Sequence, residues 1–254
     1  MQILELWRFP IKGFGGSQIG TATLATDGYF PNDRRFAIST GGQKIATARS
    51  GAWYPKANFL QLMSHEALAE YDCRYLTDGE RPVLELLNQG KRCISINPAS
   101  DYGRHQFEDF IANNFANYLR GQPRLMQMKD HAYSDQSTAF ISIASNASLE
   151  TFADVTGTAP SNRRFRINII IDADKPFAEI NMIGQTFHFG EALLMVQKPV
   201  GRCAAINVDP ETSQRSDLDY VQFMKREFGH SNLGVFARVI KGGKIKVGDQ
   251  VHAT

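Results

Sequence analysis

Short apolar runs broken by glycine and proline dominate the pattern along this 254-residue chain. In the first third, "QILELWRFP" (2–10), "RRFAIST" (34–40) and "FLQLMS" (59–64) read as strands, and Gly41-Gly42 suits a hairpin. Beyond residue 160 the strand signal strengthens. "FRINIII" (165–171) is a continuous apolar strand. "QTFHFGEALLMVQ" (185–197) reads as a hairpin around Gly190-Glu191. "VFARVIKGGKIKVGDQV" (235–251) reads as a second hairpin, turned at Gly242-Gly243.

Three segments carry a helical period. In "DYGRHQFEDFIANNFANYLRG" (101–121), Phe107, Phe110, Ile111, Phe115, Tyr118 and Leu119 share one face, and Gly121 and Pro123 end it. "SNASLETFADVTG" (145–157) has Ser145 or Asn146 as its cap and Gly157 as its stop. In "SDLDYVQFMKREFG" (216–229), Ser216 with Asp219 resembles a capping box, and Gly229 terminates the helix. Many short strands with few helices predict a mainly β, α+β chain built on a barrel or sandwich. A seam between two units is expected at about residues 100–125.

Composition narrows the function classes. With 43% hydrophobic and 21% charged residues, the chain can bury a real core. A net charge of +2 argues against broad nucleic-acid binding and leaves local anion sites open. No apolar run is long enough for a membrane span, and "MQILELWRFPIKGFGG" lacks the basic start and apolar stretch of a signal peptide. Cys73, Cys93 and Cys203 are odd in number and widely spaced, which fits a reducing cytoplasm and no disulfide framework.

Candidate chemistry centres on "KPVGRCAAINVDPET" (198–212). Cys203 follows a Pro-Gly turn beside Arg202, where a thiolate can serve as a soft metal ligand or a nucleophile. Most free cysteines are simply small buried hydrophobes, and that reading stays open. Lys12, Arg34, Arg49 and Arg166 lie next to turns, where they can converge on one anion or remain solvated. The "RRFR" run (163–166) lacks a wider basic face for nucleic acid. Asp135, in "YSD", can relay protons or form an ordinary Asx turn. The six histidines have no HxH or HExxH spacing, and no Walker A loop, helix-opening GxGxxG or GxSxG occurs.

The order of "LWRFPIKGFGG", "TDGYFPNDRRFAIS", "AYSDQSTAFISIASNASLETF", "RFRINIII" and "KPVGRCAAINVDPET" resembles the MOSC family, named for the C-terminal domain of molybdenum cofactor sulfurases. Along nearly the whole chain it is similar to the branch in which a β-rich domain precedes MOSC. That branch contains the mitochondrial amidoxime-reducing components and their bacterial relatives. The resemblance implies an N-terminal β-rich domain over 1–100, a helix at about 101–121, and a MOSC-type β-barrel over 122–254. It implies a molybdenum cofactor, a metal held by Cys203, and reduction of N-hydroxylated compounds. Lys12, Arg34, Arg166 and Asn168 match positions around the cofactor's phosphate and pterin. Ser134 and Gln136 flank Asp135, which matches a pocket acid near the metal. Gly201 and Arg202 form the turn before the thiol, and Asp209 matches a turn after it, with a structural role.

Three positions depart from the eukaryotic reductases. Gly201 and Gly13 stand where those carry serine, and Gln136 where they carry threonine. The stretch ending at Thr254 has no C-x4-C-x2-C run, so a reductase would draw electrons from a separate ferredoxin, flavodoxin or cytochrome. The alternatives are a sulfur carrier, with a persulfide on Cys203 loaded by a cysteine desulfurase, or a non-catalytic molybdopterin-binding module. No nucleic-acid or membrane partner is expected.

Overall fold

The protein was analysed as a computed structural model that describes residues 1–42, 54–77, 79–136 and 138–254. Arg49 lies outside these residues, as does the continuation of the hairpin expected at Gly41-Gly42. The first strands are β1 (Ile3–Arg8), β2 (Ser17–Ile19), β3 (Thr21–Leu24) and β4 (Phe36–Ser39). A meander follows of β5 (Tyr71–Leu76), β6 (Val83–Asn88) and β7 (Lys91–Ile96), then α1 (Asp101–Asn114) and β8 (Arg124–Gln127). The rest comprises β9 (Ile141–Ser145), α2 (Asn146–Thr156), α3 (Asn162–Phe165), β10 (Ile169–Ile171), β11 (Thr186–Phe189), β12 (Ala192–Gly201), α4 (Tyr220–Phe228), β13 (Asn232–Lys241), β14 (Gly243–Lys246) and β15 (Val251–Ala253).

Eight strands form one sheet in the order β15-β11-β12-β13-β9-β10-β1-β2. A register shift between Ile3 and Glu5 puts Ile3 and Leu6, three residues apart, on the same buried face. The sheet curls until its far regions meet. Ile3 N–H donates to Asp249 O at 2.9 Å, and Val251 N–H to Met1 O at 2.7 Å. Ile3, Leu6, Ile143, Ile169, Leu194 and Val235 are fully buried in its interior. The chain is therefore mainly β with a few helices, built around a barrel.

Three further cores accompany it, a small one around Phe59, Met126 and Tyr133 and two larger ones. One joins β4, the β5–β7 meander and α1 through Phe14, Phe36, Leu68, Phe107 and Phe115. The other packs α2, α3 and α4 through Phe152, Phe165, Tyr220 and Met224. Hydrogen bonding crosses the sequence-drawn division, because β1 pairs with β10, β3 with β14, and β4 with β8. Among the described residues, no helix is long and apolar enough to cross a membrane.

Local signals placed several elements. Ser145 caps α2, accepting from Ser148 N–H at 3.2 Å, and Gly157 ends it at φ +66°. The β11–β12 hairpin pairs Phe189 with Ala192 around Gly190-Glu191.

Elsewhere the structure corrects the reading. In "FRINIII" only Ile169–Ile171 is strand, because the Asn162 side chain satisfies both the N–H and the C=O of Ile167. Arg166 then closes α3 in a left-handed conformation at φ +58°. "FLQLMS" is mostly a turn: Leu60 N–H reaches Ile38 O, after which Gln61 O accepts from Ser64 and His65 N–H. Gly242-Gly243 does not turn a hairpin, since β14 leaves β13 and pairs with β3, Gly243 opposite Leu24. α1 stops short of residue 121, and a 3-10 turn (Ala116–Tyr118) follows. There Phe115 leaves helical geometry to pack on Phe14 and Tyr71. At α4 the cap is Asp219 rather than Ser216, accepting from Val221 N–H at 3.0 Å.

Candidate functional site: a cationic pocket around a free thiol

The strand carrying "KPVG" is irregular. Pro199 has no N–H to give the ladder, and β12 shifts register on both sides of it before ending at Gly201. The chain then passes through Cys203 into a 3-10 turn (Ala204–Asn207), leaving the thiol exposed and free. Arg202 is fastened behind it. Its Nε donates to Leu233 O at 2.9 Å and its Nη1 to Phe165 O at 2.8 Å. Burial pulls its pKa down to about 9, so it remains a cation at neutral pH. Its donors engage only backbone carbonyls, so its charge stays beside Cys203.

The turn is held from the other side by Arg164 and Asp209. Arg164 Nη1 donates to Ile206 O at 2.9 Å and Val208 O at 3.0 Å, and Nη2 reaches Asp209 Oδ2 at 2.7 Å. The other Asp209 oxygen accepts from the N–H groups of Glu211 and Thr212. This matches the structural role expected for Asp209.

The same pocket holds a cluster of cations drawn from distant segments. "FPIK" leaves β1 and runs beside the start of β4. Phe9 N–H donates to Asp33 Oδ1, Arg34 N–H to Phe9 O, and Lys12 N–H to Phe36 O. The guanidiniums of Arg34 and Arg166 lie 5.2 and 4.7 Å from the centroid of the buried Phe9 ring. Arg34 pairs with Asp33 and donates to Arg166 O at 3.0 Å. Arg166 has no carboxylate among its hydrogen-bond partners, only Phe14 O. Burial, then Arg34, pulls its pKa down to about 9, against Asp33 and Asp135. Both Arg34 (φ +45°) and Arg166 (φ +58°) hold left-handed backbone, an arrangement that proteins concentrate at functional sites.

Lys12 Nζ donates to Asp135 Oδ1 at 2.8 Å and to Tyr133 O at 3.1 Å. Burial lowers its pKa despite Asp135, and Arg34 and Arg166 add to the lowering. Burial pushes the Asp135 carboxyl up, but Lys12, Lys56 and Arg34 outweigh it and leave its pKa low. Ser134 Oγ is engaged with Gln136 O at 2.8 Å, so it shapes the loop. Gln136 Oε1 accepts from Lys198 Nζ at 2.8 Å. Asn168 is buried, and its Oδ1 accepts from both the N–H and the hydroxyl of Ser142 while its Nδ2 reaches Trp7 O.

All of these meet in one pocket of about 460 Å³. Its lining contains Lys12, Arg34, Ser134, Asp135, Gln136, Arg166, Asn168, Gly201, Arg202 and Cys203, every site residue read from the sequence. Several further residues there had no reading as site residues, Lys56 among them. Lys198 opens "KPVGRCAAINVDPET" and Arg164 lies in the "RRFR" run, but their partners are distant in sequence. Asp33 neutralises Arg34. Tyr133 buries a hydroxyl with no hydrogen-bond partner among the described residues, and burial pushes its pKa up to about 12. Seven basic and two acidic side chains line the pocket, an anion-seeking cavity in a chain of net charge +2.

Fold and site thus define a β-barrel protein with a cationic pocket and a free thiol at its wall. Residues 1–78 match the MOSC N-terminal beta barrel domain and residues 128–252 match the MOSC domain. The chain belongs to the MOSC family. A molybdenum cofactor sulfurase of Drosophila grimshawi is 36% identical over 73 residues, which are 29% of this chain and 9% of that protein. Among solved structures, YuaD from Bacillus subtilis is 12% identical with a TM-score of 0.45, covering 98% of this chain and 93% of that one. YiiM from Escherichia coli is 21% identical with a TM-score of 0.35, covering 45% and 53%.

Proposed function

We propose that this pocket binds the molybdenum cofactor and that the protein reduces N-hydroxylated compounds, with electrons from a separate redox protein of ferredoxin, flavodoxin or cytochrome type. The observation that carries the reading is one cavity holding both an exposed thiol and two half-buried guanidiniums without a carboxylate partner of their own, Arg166 and Arg202. A dithiolene-bearing pterin phosphate asks for such a donor set: a soft ligand for the metal and fixed cations for the anionic end. Cys203 would ligate the metal. Arg34, Arg166 and Lys12 would hold the phosphate and pterin. When bound, the cofactor supplies the two-electron chemistry that removes an N–O oxygen as water.

The chain's own part is positioning and proton supply. Arg202 and the Arg164–Asp209 pair fix the turn that presents Cys203. Asp135, kept ionised, orients Lys12, whose lowered pKa makes it the proton-giving member of the pair. The test is molybdenum per chain after expression in a host that makes the cofactor, beside Cys203→Ala. Near-stoichiometric metal that disappears in the variant, with turnover of an N-hydroxylated substrate, is the expected result. Full metal and full activity in Cys203→Ala would overturn it. Metal without turnover would indicate a molybdopterin-binding module.

The local similarity to a molybdenum cofactor sulfurase favours a second reading. Cys203 would attack the outer sulfur of a desulfurase persulfide, releasing that enzyme's cysteine thiolate and becoming a persulfide itself. Mass spectrometry after incubation with a desulfurase should then find one added sulfur on Cys203; its absence sinks this reading.

A further inference from the structure

Lys56 and Lys198 are the pocket cations that the cofactor reading does not use, and Lys198 is held against two aromatic rings. It lies in β12 opposite Phe236 of β13, and Phe236 in turn lies opposite Ser142 of β9, two residues after Phe140. The half-buried rings of Phe140 and Phe236 stack with centroids 5.4 Å apart and planes 25° apart. Lys198 Nζ stands 4.9 Å from the Phe140 centroid and 5.8 Å from that of Phe236, and donates to Gln136 Oε1 at 2.8 Å. Lys12 is neutralised by Asp135, whereas no carboxylate pairs with Lys198 among the described residues. An ammonium has three donors, and Gln136 takes one. Two ring faces and a neutral amide hold this charge in place without cancelling it. Lys198, Gln136, Phe140, Phe236 and Cys203 line the same pocket.

We propose that Lys198 with the Phe140–Phe236 pair forms a specificity seat for an aromatic substrate bearing a carboxylate. The ring of the ligand would pack at the phenyl pair and its carboxylate would take the free Lys198 donors. The seat rests on the reductase reading only for the statement that its occupant is the N-hydroxylated substrate. The carboxylate preference follows from the uncancelled charge beside an apolar aromatic surface.

Titration calorimetry with benzamidoxime and its 4-carboxylate derivative tests this on the protein purified from a cofactor-making host. Lys198 is exposed, so the carboxylate should bind wild type about three- to fivefold more tightly than the neutral compound, the upper range of one ion pair in solvent. Lys198→Gln should erase that advantage and leave benzamidoxime unchanged, while Phe236→Leu should weaken both. Equal affinities in wild type, an advantage that survives Lys198→Gln, or binding of neither compound would overturn the seat. So would inorganic phosphate displacing the carboxylate at equal concentration, which would assign Lys198 to a phosphate. Because the readout is binding, a protein that holds the carboxylate but reduces nothing defeats the reductase reading alone. One that reduces both compounds with equal KM defeats the seat alone.

Discussion

Arg164 and Asp209, 45 residues apart, meet at 2.7 Å and clamp the turn that carries Cys203. The same guanidinium binds two carbonyls of that turn, so its loss strands three acceptors at once. Arg164→Ala should cost about 3–5 kcal/mol in urea unfolding, the scale for breaking a buried pair from one side. Asp209→Asn should cost less, about 2 kcal/mol: its one amide oxygen can serve either Arg164 or the Glu211 and Thr212 N–H groups, and the Ile206 and Val208 carbonyls still hold the guanidinium. Equal losses in the two variants would contradict this division of labour.

The three cysteines should differ sharply in reactivity. Cys73 is completely buried, and burial pushes its thiol well above the ordinary value. Cys93 and Cys203 are exposed. Ellman's reagent should therefore titrate two thiols quickly in the native protein and the third only on unfolding. Cys203→Ala should leave a single fast thiol.

The Lys12–Asp135 pair sets a pH dependence of definite sign. Burial, with Arg34 and Arg166, holds Lys12 below its ordinary 10.5 against the pull of Asp135. The unfolded chain binds that proton more tightly, so the penalty fades as pH rises through the lowered value. Asp135 has a depressed pKa, because Lys12, Lys56 and Arg34 outweigh its burial. Its contribution is present above the ordinary 3.8 and is lost as pH falls through the lowered value. Asp135→Asn should be less stable than wild type at pH 7, and the gap should narrow toward pH 3. Urea unfolding at the two pH values checks this; a constant gap would remove Asp135 as the titrating group.

Gly13 and Gly201, both beside the pocket, are not equivalent. Gly13 has φ +89°, and a Cβ there would lie 2.9 Å from Leu68 Cδ1 and 3.1 Å from Leu60 O. Gly201 has no positive φ, and the nearest atom to its Cβ position is Asn232 Oδ1 at 3.7 Å. Gly13→Ser should lose about 1–3 kcal/mol from strain, whereas Gly201→Ser should stay within about 0.5 kcal/mol. Thermal unfolding of the two variants side by side is sufficient.

The sequence by itself determined what depends on neighbours along the chain. The Ser145 cap and Gly157 stop of α2 and the Gly190-Glu191 hairpin all follow from spacing within a few residues. The ordered motifs also carried a family resemblance, and through it the site residues that now line one pocket. Tertiary structure decided what depends on distant partners. "FRINIII" breaks at Arg166 because Asn162 satisfies Ile167 locally, and β14 joins β3 because residues 21–24 lie within its reach. Neither competitor is visible in the pattern of either segment alone. The same holds for Lys198, whose charge is fixed by rings at 140 and 236 and an amide at 136. Side-chain electrostatics act through space, so only the folded chain shows that Lys12 is neutralised by a carboxylate while Lys198 is not.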